Sequence, residues 1–197
     1  FFDGNFSGTE YSEFASSSVG WCEEKYGVRL ERLSEVVKAC EPDIFVMQEL
    51  ENEDQLYDIF NRLCSNFSFS KNYSYGCFYK DEGSAIGLGV LSRFPLFGKT
   101  VHSLDVRSES EKQPSMRPLL KVFVNVNERP LLLFVNHWKS KSGGAEKSEV
   151  WRNFQESVLA QSFAEYEGQN IPVVACGDFN RDILEFRKIN GRKLQLN

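Results

Sequence analysis

A carboxylate and an amide stand two positions apart in the short segment Gly177-Asp178-Phe179-Asn180. A carboxylate accepts hydrogen bonds, and the amide of asparagine also donates them. Such a pair suits the activation of a hydrolytic water and the binding of a phosphate oxygen. The same residue types are common in turns, so an Asx turn that closes a strand is the alternative interpretation.

Two further polar clusters follow apolar runs that are typical of buried strands. Glu49 comes shortly after the run Ile44–Met47, and His137 comes shortly after the run Leu131–Val135. If these strands lie beside Ile171–Cys176, which precedes the Gly-Asp-Phe-Asn segment and is predicted to be buried on both faces, their ends meet at one edge of a sheet. The edge would then present two carboxylates, an imidazole and an amide, and this set can hold one hard cation and a phosphate.

Each of these residues also has a purely structural interpretation. Glu49 can be an exposed charge at the end of a strand, and His137 can be a buried histidine whose hydrogen bonds are satisfied. Lys139 and Lys141 can belong to a solvated loop. Polar clusters at three successive strand ends nevertheless favour the chemical interpretation over three independent structural ones.

The composition is that of an ordinary globular protein. The chain has 197 residues, of which 41% are hydrophobic and 26% charged, and a chain of this length buries about 70% of its unfolded surface. We therefore expect a single domain over residues 1–197, and a monomer. The net charge of −5 gives no overall attraction for nucleic acid, so a polyanionic substrate would need a local basic patch or a bound cation.

The cysteines and the chain start bear on localisation. The five cysteines form neither a Cys-x-x-Cys pair nor a dense disulfide framework, which favours a reducing compartment such as the cytoplasm. The chain begins at Phe1 without a methionine or a signal sequence, so we expect the native N-terminus to lie upstream, and secretion stays open. No apolar run approaches the roughly 18 residues of a membrane span, so no transmembrane segment is predicted.

Hydrophobic periodicity predicts the elements that position the polar clusters. A helix is expected from about Val28 to the residue before Pro42, a second from Asp54 to about Asn66, and a long third after Lys147. The apolar residues predicted to face the core are Leu30, Leu33, Val36, Val37 and Cys40 in the first helix and Val150, Phe154 and Val158 in the third.

The middle of the chain is predicted to be rich in strands, with a hairpin turn at Asn127-Glu128-Arg129-Pro130 and a polar loop over residues 107–116. Helices that alternate with several strands indicate an α/β sandwich, in which two sheets are covered by outer helices. The predicted strands are Tyr73–Tyr79, Gly87–Arg93, Lys99–Val106, Leu119–Val126 and Leu131–Trp138.

Five segments of the chain, in this order, resemble motifs of the endonuclease/exonuclease/phosphatase superfamily, which is typified by deoxyribonuclease I. The resemblance implies a four-layered α/β sandwich, with two mainly antiparallel sheets packed face to face and helices outside. It also implies metal-dependent hydrolysis of phosphoesters. The segments are Pro42–Glu49, Gly89–Pro95, Met116–Leu120, Asn136–Lys141 and Gly177–Asn180.

The resemblance also implies roles for individual residues. Glu49 resembles the ligand of Mg²⁺, with Mn²⁺ or Ca²⁺ as alternatives, and Asp178 resembles the carboxylate that orients the attacking water. Asn180 resembles the amide that holds a phosphate oxygen. His137 resembles the histidine that contacts the scissile phosphate in the deoxyribonuclease-like and phosphodiesterase branches, and apurinic-site endonucleases do not usually carry this histidine. Arg117 resembles a phosphate-side arginine.

The sequence departs from the family pattern at both ends. The family carries an asparagine upstream of a segment like Phe1-Phe2-Asp3, and a Ser-Asp-His or similar tripeptide downstream of the Gly-Asp-x-Asn motif; neither is present here. We therefore expect a trimmed domain that lacks its first strand and its C-terminal strands, rather than a degenerate enzyme. The terminal histidine normally handles a proton, so its loss would remove much of the rate.

These observations predict a metal-dependent phosphodiester hydrolase, most simply a nuclease that acts on DNA or RNA. Lys139 would add positive charge for phosphate binding. One alternative is the same chemistry on a lipid or small-molecule phosphoester, as in sphingomyelinase-like or inositol-phosphatase-like relatives. Another is a catalytically silent binding module on the same scaffold.

Overall fold

The computed structural model of the protein describes residues 1–12, 20–66, 72–104 and 113–182. Three helices and seven strands lie within these ranges. They are α1 (Glu23–Cys40), β1 (Ile44–Leu50), α2 (Glu53–Asn66), β2 (Tyr75–Tyr79), β3 (Gly87–Ser92), β4 (Leu96–His102), β5 (Leu119–Val126), β6 (Arg129–His137), α3 (Ala145–Ala164) and β7 (Val173–Asp178).

The described strands form two sheets. The first sheet has the order β1-β3-β2, and the second has the order β4-β5-β6-β7. All neighbours are antiparallel except β6 and β7, which are parallel. The inner faces pack together through a cluster of buried aliphatic residues from β3, β5 and β6, namely Leu88, Val90, Leu120, Val122, Val124, Leu133 and Val135.

Helices cover the outer faces. The helices α1 and α2 pack on the first sheet, where Leu30 and Ile59 share a core cluster with Met47 of β1. The helix α3 packs on the second sheet, where Val158 and Phe163 contact Phe134 and its neighbours. The order helix, sheet, sheet, helix confirms the predicted four-layered α/β sandwich. None of the described helices is long and apolar enough to cross a membrane.

Two helix faces differ from the prediction. In α1 the residues Val36 and Cys40 are exposed, because the buried face runs through Tyr26, Leu30 and Val37, about one turn and two turns apart. In α3 Val150 is exposed. The first half of α3 instead buries a polar face, made of Ser148, Arg152 and Gln155.

The hairpin between β5 and β6 is tighter than the sequence predicted. Asn127 has φ 51° and Glu128 has φ 67°, and two left-handed residues are typical of a two-residue type I′ turn. Arg129 pairs with Val126 and therefore already belongs to β6. The predicted turn at Asn127-Glu128 is confirmed, whereas its extension to Pro130 is wrong.

The strand β7 was predicted to be buried on both faces, and this is wrong. Among the described strands β7 pairs with β6 alone, and Val174 is exposed. The predicted side-by-side arrangement is also wrong for β1, which lies in the opposite sheet. The polar loop predicted at 107–116 falls largely outside the described residues, as does the end of the strand predicted at Lys99–Val106.

Candidate active site

The parallel pairing of β6 and β7 brings the two C-terminal polar clusters together. The register places His137 opposite Asp178. The backbone continues this alignment beyond the strands, because the N–H of Trp138 donates to the carbonyl oxygen of Asp178 at 2.8 Å. Ladder hydrogen bonds thus position an imidazole next to a carboxylate, as the sequence predicted for these two residues.

Gly177 permits this close approach of the two strands. Its φ is 126°, and a Cβ at this position would lie 1.9 Å from the carbonyl oxygen of Asn136. Only glycine tolerates that backbone conformation without strain, and no side chain fits the space. The glycine before Asp178 is therefore a requirement of the geometry that places the carboxylate.

Gly177→Ala should lower the free energy of unfolding by about 2 kcal/mol more than the same change at a positive-φ glycine with open space around it, because the added Cβ would force the backbone away from Asn136. Denaturant unfolding measures this change. Gly83→Ala is the matched control, since Gly83 also has a positive φ of 74° but a Cβ there meets nothing within 4 Å. An equal loss in both variants would show that the contact with Asn136 is unimportant.

Asn180 forms two hydrogen bonds that fix the loop after β7. Its backbone N–H donates to Oδ1 of Asp178 at 2.8 Å, and its Nδ2 donates to the carbonyl oxygen of Trp138 at 3.0 Å. The first bond is that of an Asx turn. The turn and the chemical interpretation are compatible, because the second Asp178 oxygen and the second hydrogen on Nδ2 take no part in these bonds.

Glu49 reaches the same place from the other sheet. It is the extra residue of a bulge in β1, where the pairing with β3 shifts between Gln48 and Leu50. Its φ is 63°, a left-handed conformation that is uncommon for a residue other than glycine and is enriched at functional sites. The side chain is 59% exposed, and its Oε1 lies 3.7 Å from Nε2 of His137.

His137 is enclosed by charged neighbours and is only 6% exposed. Burial lowers the pKa of the imidazole, and the nearby Arg117 guanidinium lowers it further, while Glu49 and Asp178 oppose both effects. The net effect of these surroundings is to favour the neutral imidazole. Its Nδ1 is buried and has no hydrogen-bond partner among the described residues, and such an atom is expected to pair when a ligand binds.

Arg117 lies two residues before β5, whose first residues pair with the end of β6. Its Nη2 donates to the hydroxyl of Tyr11 at 2.6 Å, and its Nε is buried without a hydrogen-bond partner in the described part of the chain. For Lys139 the described hydrogen bonds run through the backbone. The pairing of β5 with β6 thus places Arg117 near the end of the strand that carries His137, and the phosphate-binding roles of Arg117 and Lys139 both stay predictions.

The helix α3 fixes the loop that follows His137. The backbone N–H of Lys139 donates to Oε1 of Gln155 at 2.8 Å, and Nη1 of the fully buried Arg152 donates to the Lys139 carbonyl oxygen at 3.1 Å. Glu149 accepts from both Arg152 and Arg181, at 2.8 and 2.7 Å. Because Arg181 follows Asn180 directly, Glu149 links the two loops of the candidate site.

Sequence reasoning missed these supporting residues. The signal was present in α3, where Ser148, Arg152 and Gln155 recur at the spacing of one helical face. Nothing in the sequence singled out Tyr11, because its contact with Arg117 joins residues 106 positions apart.

The arrangement fits a hard cation that is held by few protein ligands. The described residues contain no group of three or more His, Cys, Asp or Glu side chains that could hold a metal ion. Mg²⁺ typically takes one or two carboxylates and completes its shell with water and substrate phosphate. The half-exposed Glu49 carboxylate is one such oxygen ligand, and Glu49 is the residue that would hold the ion.

A sequence profile of the Endonuclease/Exonuclease/phosphatase family matches residues 3–189, which include every site residue described above. The chain belongs to this family. Nocturnin of Rattus norvegicus is 27% identical over an alignment of 174 residues, which covers 83% of this chain and 39% of nocturnin.

Two solved structures share the fold of this family member. TDP2 from C. elegans is 19% identical with a TM-score of 0.62, and the match covers 82% of this chain and 45% of TDP2. TDP2 from D. rerio, complexed with single strand DNA product, is 21% identical with a TM-score of 0.59, over 80% of this chain and 55% of that one. The chain therefore spans about two fifths to just over one half of the length of these relatives.

Proposed function

We propose that the protein is a metal-dependent phosphodiester hydrolase that acts on nucleic acid. The observation that carries the proposal is the convergence of Glu49, His137 and Asp178 from two sheets onto one site, with Arg117 beside them. A carboxylate for a cation, a second carboxylate for water and nitrogen donors for phosphate are the parts that this reaction needs. The single-stranded DNA product bound to TDP2 of D. rerio supports nucleic acid as the substrate class.

The hydrogen-bond donors and acceptors of each residue indicate its role in the proposed reaction. Oδ1 of Asp178 accepts the Asn180 N–H, so the other carboxylate oxygen would orient the attacking water and take its proton. The second hydrogen on Nδ2 of Asn180 would bind a non-bridging phosphate oxygen. The neutral His137 imidazole would donate a hydrogen bond to a second non-bridging phosphate oxygen, and Arg117 would offset the phosphate charge. Magnesium, when bound at Glu49, would polarise the phosphate and stabilise the leaving oxygen.

Glu49→Gln tests this proposal, because it removes the negative charge while keeping the size of the side chain. We expect the Mg²⁺ concentration for half-maximal cleavage of a single-stranded oligonucleotide to rise by about 10-fold or more, since cation affinity follows ligand charge. Calorimetric titration with Mn²⁺ should show a matching loss of affinity. The control is Glu35→Gln, on the exposed side of α1, which should leave both measurements unchanged. If Glu49→Gln also changes neither the Mg²⁺ requirement nor the Mn²⁺ affinity, Glu49 holds no ion and the proposal is wrong.

Assays with DNA, RNA, a lipid phosphoester and a small-molecule phosphoester distinguish the nuclease from the two alternative functions. The net charge of −5 gives a lipid or small-molecule phosphoester some advantage over non-specific DNA binding. Cleavage of such a substrate, with no cleavage of DNA or RNA, would select that alternative. No hydrolysis of any phosphoester by the full-length protein, together with no calorimetric response to Mg²⁺ or Mn²⁺, would select the binding module.

A further inference from the structure

Tyr11 is not one of the candidate catalytic residues, but it forms a hydrogen bond with the guanidinium of Arg117. The phenolic oxygen accepts a hydrogen bond from Nη2 of Arg117 at 2.6 Å. Arg117 acts electrostatically on His137, so this contact fixes a cation at the edge of the proposed phosphate site. A hydrogen bond to a charged donor is stronger than one between neutral groups.

The ring of Tyr11 is itself held in place. It packs edge to face against the buried Phe2, with 5.6 Å between the ring centroids. Tyr11 is nevertheless 39% exposed, so it lies at the surface rather than in the core. A tyrosine in this environment loses little further conformational freedom when it holds a partner, since it has only two side-chain torsions.

The loop that carries Tyr11 is bound to the strand that carries Glu49. The Glu51 carboxylate is buried and accepts hydrogen bonds from the backbone N–H groups of Asp3, at 3.3 Å, and Thr9, at 3.0 Å. Glu51 follows Glu49 by two residues, directly after β1. The loop and the proposed metal ligand therefore share one anchor, which fixes Tyr11 relative to the site.

The hydrogen-bonding capacity of Arg117 shows what this contact leaves for a ligand. A guanidinium has five N–H groups in a rigid planar fork. Tyr11 uses one of them, and the buried Nε has no hydrogen-bond partner among the described residues. An arginine that is held at one nitrogen and keeps unused donors is prepared for a phosphate oxygen, because less side-chain entropy is lost on binding.

We propose that Tyr11 is a positioning residue, which orients the Arg117 guanidinium so that its remaining N–H groups bind a substrate phosphate. The inference rests on the proposed function, since it assigns Tyr11 to the same site. Tyr11 acts only through Arg117 and takes no part in proton transfer.

Tyr11→Phe removes the hydroxyl and keeps the ring. We expect KM for an oligonucleotide and the calorimetric Kd for inorganic phosphate each to rise by about 5- to 10-fold, as for the loss of one charged hydrogen bond. The kcat and the melting temperature should stay unchanged. Tyr75→Phe is the matched control, because Tyr75 is 41% exposed and lies in β2; it should change none of these quantities.

A double-mutant cycle with Arg117→Lys tests whether Tyr11 acts through Arg117. When Arg117→Lys is already present, Tyr11→Phe should cause no further loss of phosphate affinity. An equal loss with and without Arg117→Lys, or a fall in kcat with unchanged phosphate affinity, would overturn the inference. If the wild type cleaves no phosphoester, the proposed function fails, whereas the phosphate titration still decides the role of Tyr11.

Discussion

Asp178→Asn should lower kcat for phosphodiester hydrolysis by roughly 10²- to 10⁴-fold, the range that a positioned acid or base contributes. The substitution keeps an oxygen that can accept the N–H of Asn180, so the turn after β7 is preserved. It removes the negative charge that would orient the water and take its proton. The fall should therefore appear in kcat under single-turnover conditions, with little change in the melting temperature.

The control for this experiment is Asp54→Asn, at an exposed position in the first turn of α2. It makes the same chemical change away from the site and should leave kcat unaltered. An unchanged kcat in Asp178→Asn would mean that the water is activated elsewhere. A large fall in melting temperature would instead assign Asp178 a structural role.

Arg152→Leu should lower the free energy of unfolding by about 3 kcal/mol, because it leaves buried partners of a charged group unpaired. Arg152 is fully buried and donates to the carbonyl oxygens of Lys139 and Ala145, to Oγ of Ser148 and to the carboxylate of Glu149. For a chain of this size the melting temperature should fall by about 6–12 °C. Differential scanning calorimetry measures the change directly.

The surface pair of Arg62 and Glu31 provides the matched comparison. Its atoms are 3.0 Å apart, and the two side chains are 43% and 49% exposed. Exposed ion pairs contribute about 0–1 kcal/mol, so Arg62→Leu should have a small effect. The prediction for Arg152 would be contradicted if both substitutions cost the same, because burial would then be irrelevant. Arg152→Leu should also hydrolyse substrate more slowly at temperatures where it is still folded, because the loop after His137 loses the hydrogen bond from Arg152 to Lys139.

Local patterns predicted most of the architecture. Leu119–Val126 was predicted with its observed bounds, and α2 begins within one residue of the predicted start. These elements follow from the side-chain period and from turn residues such as Asn127, both of which are local properties. The residues of the five motifs also identified the family correctly, because their order along the chain is preserved.

Long-range placement could not be predicted from such patterns. Ile44–Met47 and Ile171–Cys176 are both short apolar runs, and periodicity alone does not say which sheet each joins. The structure separates them into opposite sheets. The exposed Val174 shows the same limit, since apolar character cannot distinguish a central strand from an edge strand.

Buried polar contacts could not be predicted from the sequence patterns either. Val150 was predicted to face the core because it is apolar, whereas Arg152 occupies the buried face. The partners of Arg152 include backbone carbonyl groups, which every residue carries and which no sequence pattern marks. The bulge at Glu49 is similar, since its left-handed backbone depends on pairing with β3.

The two halves of the candidate site come from two sheets whose spacing is set by the hydrophobic core. Glu49 belongs to one sheet and His137 to the other, and side chains such as Val90 and Val122 fill the space between the sheets. Their volume therefore acts as a spacer for the 3.7 Å gap between carboxylate and imidazole. Because tightly packed interiors transmit strain, an added methylene group in this spacer would widen the gap without altering any residue of the candidate site. The distance between the two groups is thus a property of the aliphatic interior as well as of the polar residues.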